Sequence, residues 1–224
     1  MAEKKEATST RLPAGRHGLS REFIAQNQRE RIITALVDTV AARGYNATTV
    51  ADITKAASVS RRTFYEHFAD KEACFLAAYE MVSDHIRASM RAAAESFEDW
   101  PQQVRAALAT MLRFLSGEPD LARLCMIEPI AAGGEIAARH RASMQGFVEI
   151  LKAGRPEGGR SLPEATEETL VGGIISLIVR ELSAGRAAEL EALLPDLVEL
   201  SLAPYVGAEE AERLARPPGS DAGP

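Results

Sequence analysis

The sequence predicts an all-α fold of about nine helices, and three observations lead to this prediction. Apolar residues recur at spacings of three and four along most of the chain, whereas alternating strand patterns are almost absent. Serine, threonine or aspartate precedes several of these segments, and glycine or proline follows them, which is typical of helix starts and stops. With 224 residues, 46% of them hydrophobic, the chain is long enough for a small module and a larger core-forming domain.

The N-terminal part predicts an arm followed by a long helix. Residues 1–20 are polar and contain Pro13, Gly15 and Gly18, so we expect them to be flexible. A helix is predicted from Arg21 to Arg43, ending before Gly44. Its apolar stripe consists of Ile32, Ile33, Leu36, Val37 and Val40.

Two short helices and a tight turn are predicted between Thr48 and Lys71. Thr49 is a helix cap before Val50, and Ser60 is a second cap before a helix that starts at Arg61. Phe64 and Phe68 are four residues apart and can anchor this second helix inward. This spacing is that of a helix-turn-helix, whose second helix enters the major groove of double-stranded DNA. The candidate DNA-binding residues of the motif are Thr49, Ser60, Arg61, Arg62, Thr63, Tyr65, His67 and Lys71.

The basic residues at the start of the second helix are the candidates for reading bases. A guanidinium can bind guanine O6 and N7 together, which favours base contacts for Arg61 and Arg62; a solvated charged pair is the alternative. Thr63, Tyr65 and His67 are expected to contact phosphates, although His67 could instead pack against the phenyl rings.

Over Gln28 to Tyr79 the sequence closely resembles the TetR family of transcriptional repressors. The resemblance rests on ARGY (Ala42 to Tyr45), TTVADI, ASVSRRTFYEHF and DKEACFLAAY in this order. Two residues depart from the family pattern, since Ser58 and Arg62 stand where relatives often carry glycine. The resemblance implies a homodimeric regulator that binds an operator and is released by a small apolar effector, with Lys71 holding a phosphate. Activation, or regulation without a ligand, is the alternative.

Charge is distributed unevenly along the chain. Residues 1–71 carry 12 Lys and Arg against 8 Asp and Glu, whereas the remainder carries 14 against 24. The positive part therefore coincides with the motif, as expected for a phosphate-binding module. Arg11, Arg16 and His17 of the arm could also reach into the minor groove, with a non-binding tail as an equal alternative.

The remaining helices are predicted to form one larger domain. The helix-turn-helix domain is assigned to residues 21–71, the ligand-binding and dimerisation domain to 72–207, and a flexible tail to 208–224. A long helix follows Asp70 and extends to about Phe97, and Pro101 opens the next. Further helices are predicted at Asp120 to Met126, after Gly133-Gly134, at Glu164 to Ser183 and at about Ala187 to Leu202, with a loop at Gly154 to Pro163.

The resemblance implies an effector cavity among the middle helices. By position, the residues nearest to it are Met111, Leu115, Met126, Met144 and Phe147. Glu128, Arg141 and His140 are candidate polar groups that would orient an effector. Core packing explains the apolar residues equally well.

The last two helices are the candidates for dimerisation. A glycine pair inside a helix costs about 1 kcal/mol per residue relative to alanine, and close approach of another helix is one compensation. Packing within the chain is the alternative, and the residues alone slightly favour it; the family resemblance favours a dimer through a four-helix bundle. The predicted interface comprises Gly172, Gly173, Ile174, Ile178, Leu193, Leu197 and Leu200.

Other function classes receive little support from the sequence. The chain lacks G-x-S-x-G, Walker-type, H-E-x-x-H and G-x-G-x-x-G motifs, so no enzyme is predicted. Cys74 and Cys125 do not form a metal-binding spacing, and we expect neither metal nor cofactor. The N-terminus has no apolar leader pattern, and the apolar stretch from Val171 stops at Arg180, so a cytoplasmic protein without a membrane partner is expected.

Overall fold

Helices make up the described part of the chain, as the apolar periodicity predicts. The computed structural model describes residues 21–155 and 162–216. Within these ranges the helices are α1 (Arg21–Arg43), α2 (Val50–Ala57), α3 (Arg61–His67), α4 (Lys71–Ala94), α5 (Trp100–Gly117), α6 (Pro119–Met126), α7 (Glu128–Ala132), α8 (Gly134–Lys152), α9 (Thr166–Ser183), a 3-10 helix (Ala187–Leu193), α10 (Leu194–Val206) and α11 (Ala208–Ala215). The all-α class, with an N-terminal helix-turn-helix followed by a larger helical part, is confirmed.

The N-terminal helices are held together by the stripe of α1 and the first turns of α4. Ile32 and Leu36 of α1 are fully buried, as are Phe64 of α3 and Phe75 of α4. Burying each of these side chains stabilises the fold by about 1.5–3 kcal/mol. Apolar packing in this core therefore fixes the orientation of α3.

Helix α4 connects this module to the rest of the molecule. It is 24 residues long, which corresponds to about 36 Å, and Asp70 caps its N-terminus by accepting a hydrogen bond from Ala73 N at 2.7 Å. Its buried residues run from Cys74 to Met90 and belong to one continuous core that also includes α5, α6, α8 and α9. Helix α4 therefore contributes to the core of both the N-terminal module and the C-terminal helices.

Two boundaries differ from the sequence prediction. Helix α4 ends at Ala94, before Phe97, which is largely exposed. The last predicted helix begins as a 3-10 helix, because the chain reaches the usual α-helical start only at Leu194-Pro195, where the proline occupies the first turn.

The predicted flexible tail 208–224 is wrong for its first half. Residues 208–215 form α11, which packs against α10. Ala211 and Ala215 lie four residues apart on one face and are almost fully buried, while the glutamates face outward. Arg105 of α5 donates a hydrogen bond to Ala215 O at 2.7 Å and so fixes the end of this helix. Residues 217–224 lie outside the described ranges.

Candidate nucleic-acid interface and effector cavity

Helix α2 begins with a reciprocal cap. The Thr49 hydroxyl accepts a hydrogen bond from Asp52 N at 3.2 Å, and Thr49 N donates to Asp52 Oδ2 at 3.0 Å. Hydrogen bonds from Thr49 lower the pKa of Asp52, and Arg43, 3.3 Å away, acts in the same direction. Thr49 therefore positions α2, and its exposed hydroxyl has the carboxylate of Asp52 as its partner at 2.6 Å.

The turn between α2 and α3 has left-handed backbone at Ser58. Its φ of 51° and ψ of 46° are those that glycine adopts most easily. Arg31 of α1 donates to the carbonyl oxygens of Ala57 and Ser58, the latter at 3.2 Å. This support from α1 was missed in the sequence, because no local pattern links an arginine to a turn 26 residues away.

Helix α3 presents its polar residues outward, as predicted from its two phenylalanines. Ser60 caps it by accepting a hydrogen bond from Thr63 N at 3.0 Å. Phe64 and Phe68 are buried with ring centroids 5.8 Å apart. Tyr65 is 56% exposed, and its ring leans edge-on against Phe64. The exposed face of α3 consists of Arg61, Arg62, Tyr65 and Glu66.

The two arginines at the start of α3 differ in their surroundings. Arg62 Nε lies 3.0 Å from Glu66 Oε1, in an exposed ion pair. Arg61 makes neither a hydrogen bond nor an ion pair with any residue that the structure describes. An exposed ion pair contributes only about 0–1 kcal/mol, so Arg62 can exchange Glu66 for DNA at little cost. Arg61 can approach DNA without giving up a partner.

Lys71 makes more contacts with other residues of the protein than the sequence suggests. Its ammonium group donates to Tyr45 O at 2.8 Å and to Thr48 O at 2.9 Å, and it lies 4.0 Å from the centre of the Tyr45 ring. Partial burial lowers the pKa of Lys71. Two of its three N–H groups hold the loop between α1 and α2, which leaves one for a phosphate.

The remaining predicted DNA contacts are less exposed or lie elsewhere. Thr63 and His67 are half-buried, and His67 Nε2 is 3.4 Å from Gln28 Oε1 of α1. Arg11, Arg16 and His17 lie outside the described residues. Ser60, Arg61, Arg62 and Tyr65 are therefore exposed on α3 and its cap, whereas Thr49 caps α2 and Lys71 holds the loop between α1 and α2.

An apolar cavity lies between α4, α5, α8 and α9. Its volume is about 50 Å³, and four of the six methionines of the chain line it. Its walls are Met90, Val104, Ala107, Leu108, Met111, Met126, Met144, Phe147, Ile150, Leu151, Val171, Ile174, Ile175 and Ile178. Four of the residues predicted to be near a cavity, Met111, Met126, Met144 and Phe147, are among them. The sequence-based prediction did not include α9 in the cavity wall, because Ile174 and Ile178 were assigned to the dimer interface.

Two predicted cavity residues lie elsewhere. Leu115 is fully buried in the core and does not line the cavity. Glu128, predicted to orient an effector, is 4% exposed and accepts a hydrogen bond from Tyr45 N at 2.8 Å, with Arg123 3.7 Å from its other oxygen. Glu128 therefore ties α7 to the loop that precedes α2, because its buried carboxylate accepts a hydrogen bond from a backbone N–H of that loop. Asn46 Nδ2 adds a second bond to Ala131 O at 3.1 Å.

The other predicted polar groups are split between core and surface. His140 is buried, and its Nδ1 is 3.1 Å from the Tyr79 hydroxyl. Burial lowers the pKa of His140, and the nearby Arg141 lowers it further. Arg141 itself is exposed.

The predicted dimer residues fall into two groups. Ile178 and Leu197 are fully buried within the chain and so are core residues, whereas Ile174 lines the cavity and is partly exposed. Gly172, Gly173 and Leu200 are exposed, whereas Leu193 is half-buried. Ile178 and Leu197 were included in the predicted interface because α9 and α10 carry apolar residues on more than one face.

Other kinds of site are not found in the described ranges. No group of three histidine, cysteine or acidic residues there is arranged to hold a metal ion. None of the described helices is long and apolar enough to cross a membrane. Burial raises the pKa of both Cys74 and Cys125 to about 12, so both are protonated thiols.

A capped, outward-facing recognition helix preceded by a supporting helix defines a helix-turn-helix DNA-binding protein. Residues 32–78 match the model of the bacterial regulatory proteins of the tetR family. Residues 32–78 are therefore similar to the DNA-binding part of this family, and the chain is a DNA-binding transcriptional regulator.

Similar proteins are found among curated sequences and solved structures. The chain is 23% identical over 151 residues to the HTH-type transcriptional activator FasR of Mycolicibacterium smegmatis, covering 67% of this chain and 69% of that protein. The fold is similar to that of the fatty acid degradation regulator FadR from Bacillus halodurans, with a TM-score of 0.70, 20% identity and coverage of 78% of this chain and 94% of the other. FadR from Bacillus subtilis, solved in complex with stearoyl-CoA, gives a TM-score of 0.67 at 21% identity, covering 80% and 98%.

Proposed function

We propose that the protein is a cytoplasmic, homodimeric repressor that binds a pseudo-palindromic operator and leaves it when an apolar effector, such as an acyl chain, binds. The observation that carries the DNA part of this proposal is the surface of α3. Arg61 and Arg62 follow the Ser60 cap directly, both are exposed, and Arg61 has no partner among the described residues. Arginines at the N-terminal end of a recognition helix are placed to contact base edges.

The DNA part is tested by selecting bound duplexes from a random library and measuring how their affinity depends on salt. Each phosphate contact that is lost reduces the salt slope by about one. Arg61→Ala is expected to lower affinity and relax the sequence preference, while Arg91→Ala, which removes an exposed arginine from the far half of α4, leaves both unchanged. Equal effects of the two substitutions would show that α3 is not the reading element.

The dimer part rests on the exposed face of α9 and α10. No described atom other than those of the helix itself lies within 4 Å of a side chain added at Gly172 or Gly173, and Leu200 is 54% exposed. A flat face of this kind permits a second copy to approach closely, which would set two copies of α3 about one DNA turn, ~34 Å, apart.

Sedimentation at micromolar concentration tests this part. Leu200→Glu is expected to produce monomers, whereas Ile130→Glu, at an equally exposed apolar residue of α7, is not. Monomeric wild-type protein would contradict the proposal. A dimer that persists in Leu200→Glu would place the interface elsewhere.

The effector part rests on the apolar cavity. One water-sized group needs roughly 10–15 Å³, so about 50 Å³ accommodates only a few carbon atoms unless side chains move. Methionines, which are unbranched and have several rotatable bonds, make such movement easier. The acyl-CoA bound to the similar FadR fold supports a long apolar chain as the effector.

A panel of fatty acids and acyl-CoA compounds of increasing chain length tests the effector part. An active compound is expected to release the operator, and Ala107→Leu, which fills the cavity, is expected to abolish release but preserve operator binding. If no compound in the panel changes operator affinity, the effector part is refuted while the DNA part stands.

The response is proposed to travel along two contacts between the cavity and the motif. Helix α4 carries Met90 at the cavity and begins at Lys71 beside the motif. Met126 lines the cavity two residues before Glu128, which holds Tyr45 N. An effector that moves these elements shifts the population towards a spacing of the two α3 helices unsuited to the operator.

Activation is the second candidate, favoured by the similarity to FasR, an activator. Transcription in vitro from a promoter carrying the selected operator distinguishes the two. A repressor lowers the transcript level and the effector restores it, whereas an activator raises the level.

A further inference from the structure

A second, smaller cavity lies beside the apolar one, at the junction of α4, α6 and α8. Its volume is about 20 Å³, enough for one or two water-sized groups. Met126, Met144 and Phe147 line both cavities and form the wall between them. Two of these three residues are methionines, whose unbranched side chains change rotamer easily and make this wall deformable.

The smaller cavity differs from the larger one in its polar lining. Its walls include Tyr79, Ser83, Arg87, Cys125 and Ser143, whereas every residue lining the larger cavity is apolar. The polar groups are therefore concentrated at one end of a combined space.

Hydrogen bonds connect these polar groups to one another. Tyr79 is 1% exposed, and its hydroxyl is 3.1 Å from His140 Nδ1. Burial raises the pKa of Tyr79, and hydrogen bonds from Ser143 and Ser83 act in the opposite direction. Ser83 also bonds the Cys125 thiol. Several hydroxyl groups thus converge on one small space and can turn towards a carbonyl oxygen.

Arg87 supplies a positive charge at this end. Its side chain is 40% exposed, and its only ion pair among the described residues is with Asp84 at 3.1 Å, on the same helix. Because Asp84 is more exposed still, this pair is worth little, and the guanidinium is free to exchange it for an anionic group of a ligand.

We propose that the two cavities form one amphipathic site, in which an acyl chain lies in the methionine-lined part and its carbonyl end lies among Tyr79, Ser83 and Ser143, with negative charge beside Arg87. This inference rests on the proposed effector response and adds the orientation of the ligand and the chemistry of its end group. A free fatty acid offers a carbonyl oxygen and a negative charge on one carboxylate, whereas an acyl-CoA offers a neutral thioester carbonyl, with its phosphates at the far end of the pantetheine arm. A fatty alcohol of equal length offers neither.

The orientation has a consequence for the response. Tyr79 and Ser83 lie on α4, eight and twelve residues after Lys71. A polar end group bonded to them acts on the helix that begins beside the motif. The apolar part alone contacts α4 only near Met90, further from the DNA-binding surface.

Direct binding of stearic acid, stearoyl-CoA and stearyl alcohol to the full-length protein tests the inference. The wild type is expected to bind at least one of the two acyl compounds more tightly than the alcohol. Arg87→Gln is expected to weaken the binding of that compound about tenfold and the binding of the alcohol less than about twofold. Arg91→Gln, one turn further along α4, serves as the matched control and is expected to change neither.

Two substitutions test the hydroxyl groups separately. Ser143→Ala and Tyr79→Phe are each expected to weaken the binding of the preferred acyl compound roughly 3- to 10-fold. Because Tyr79→Phe leaves His140 without its partner, its thermal unfolding is measured alongside, and Ser143→Ala carries the test if Tyr79→Phe does not fold.

The outcomes separate this inference from the proposed function. If an acyl compound binds and releases the operator but Arg87→Gln and Ser143→Ala leave the end-group preference unchanged, the inference is refuted and the effector response stands. If the wild type binds all three compounds equally, the inference is refuted as well. If none of the three compounds binds, both this inference and the proposal of an acyl effector are refuted.

Discussion

Substitutions of Glu128 test how strongly α7 is held to the loop between α1 and α2. The carboxylate is almost fully buried and accepts the hydrogen bond of Tyr45 N at 2.8 Å, across 83 residues of chain. We expect Glu128→Ala to destabilise the protein by about 2–3 kcal/mol, because a hydrogen bond to a charged group contributes about 1.5–3 kcal/mol and the Tyr45 N–H is left buried and unpaired.

Glu128→Gln separates the hydrogen bond from the charge. A glutamine oxygen can accept the same bond, and Arg123, the second partner, is 3.7 Å away and partly exposed. The free energy of unfolding of Glu128→Gln is therefore expected to be about 1 kcal/mol lower than that of the wild type. Glu135→Ala removes an exposed carboxylate of α8 that pairs with Arg139 at 3.6 Å, and should cost less than about 0.5 kcal/mol.

Urea unfolding followed by circular dichroism at pH 7 gives these free energies. In operator-binding assays we expect Glu128→Ala to retain operator affinity but to lose much of the effector response. A stability loss for Glu128→Ala no larger than that of Glu135→Ala would refute the assignment of Glu128 as a contact between the two parts.

Three further predictions concern stability. Ser58→Gly relieves the left-handed backbone and should raise the free energy of unfolding by up to about 1 kcal/mol, whereas a decrease in urea unfolding would contradict the turn geometry. Gly154→Ala should lower it by about 1–3 kcal/mol, because the added carbon would lie 2.1 Å from the Trp100 ring; an unchanged melting temperature would count against this packing. Hydrogen bonds from Arg155 lower the pKa of Glu167 from its ordinary 4.5 to about 2, so its contribution of roughly 2–3 kcal/mol is present above pH 4.5 and is lost as the pH falls towards 2. The stability difference between wild type and Glu167→Gln should shrink over that range, and a constant difference would exclude the ion pair as its cause.

The N-terminal part could be predicted from the sequence because its determinants are local. The caps Thr49 and Ser60 and the phenyl pair in α3 act within four residues, and each was found where the pattern placed it. The turn residue Ser58 has the left-handed backbone geometry expected from the family resemblance.

The C-terminal part was predicted less well because its determinants are contacts between distant residues. Glu128 was assigned to the cavity, since its partner in the loop after α1 is invisible to any local pattern. Ile178 was assigned to the dimer face, because periodicity shows that a residue is apolar and not which neighbour it meets. For α11 a local signal did exist, since Ala211 and Ala215 stand four apart, but the surrounding glutamates obscured it.

The most direct test of the central claim is a competition assay with duplexes selected from a random library, at fixed salt and without effector. We predict a preferred sequence with two half-sites about one DNA turn, ~34 Å, apart, bound at least about a thousandfold more tightly than random duplex, with the preference weakened by Arg61→Ala. Equal affinity for selected and random duplexes would contradict the claim that α3 reads DNA sequence.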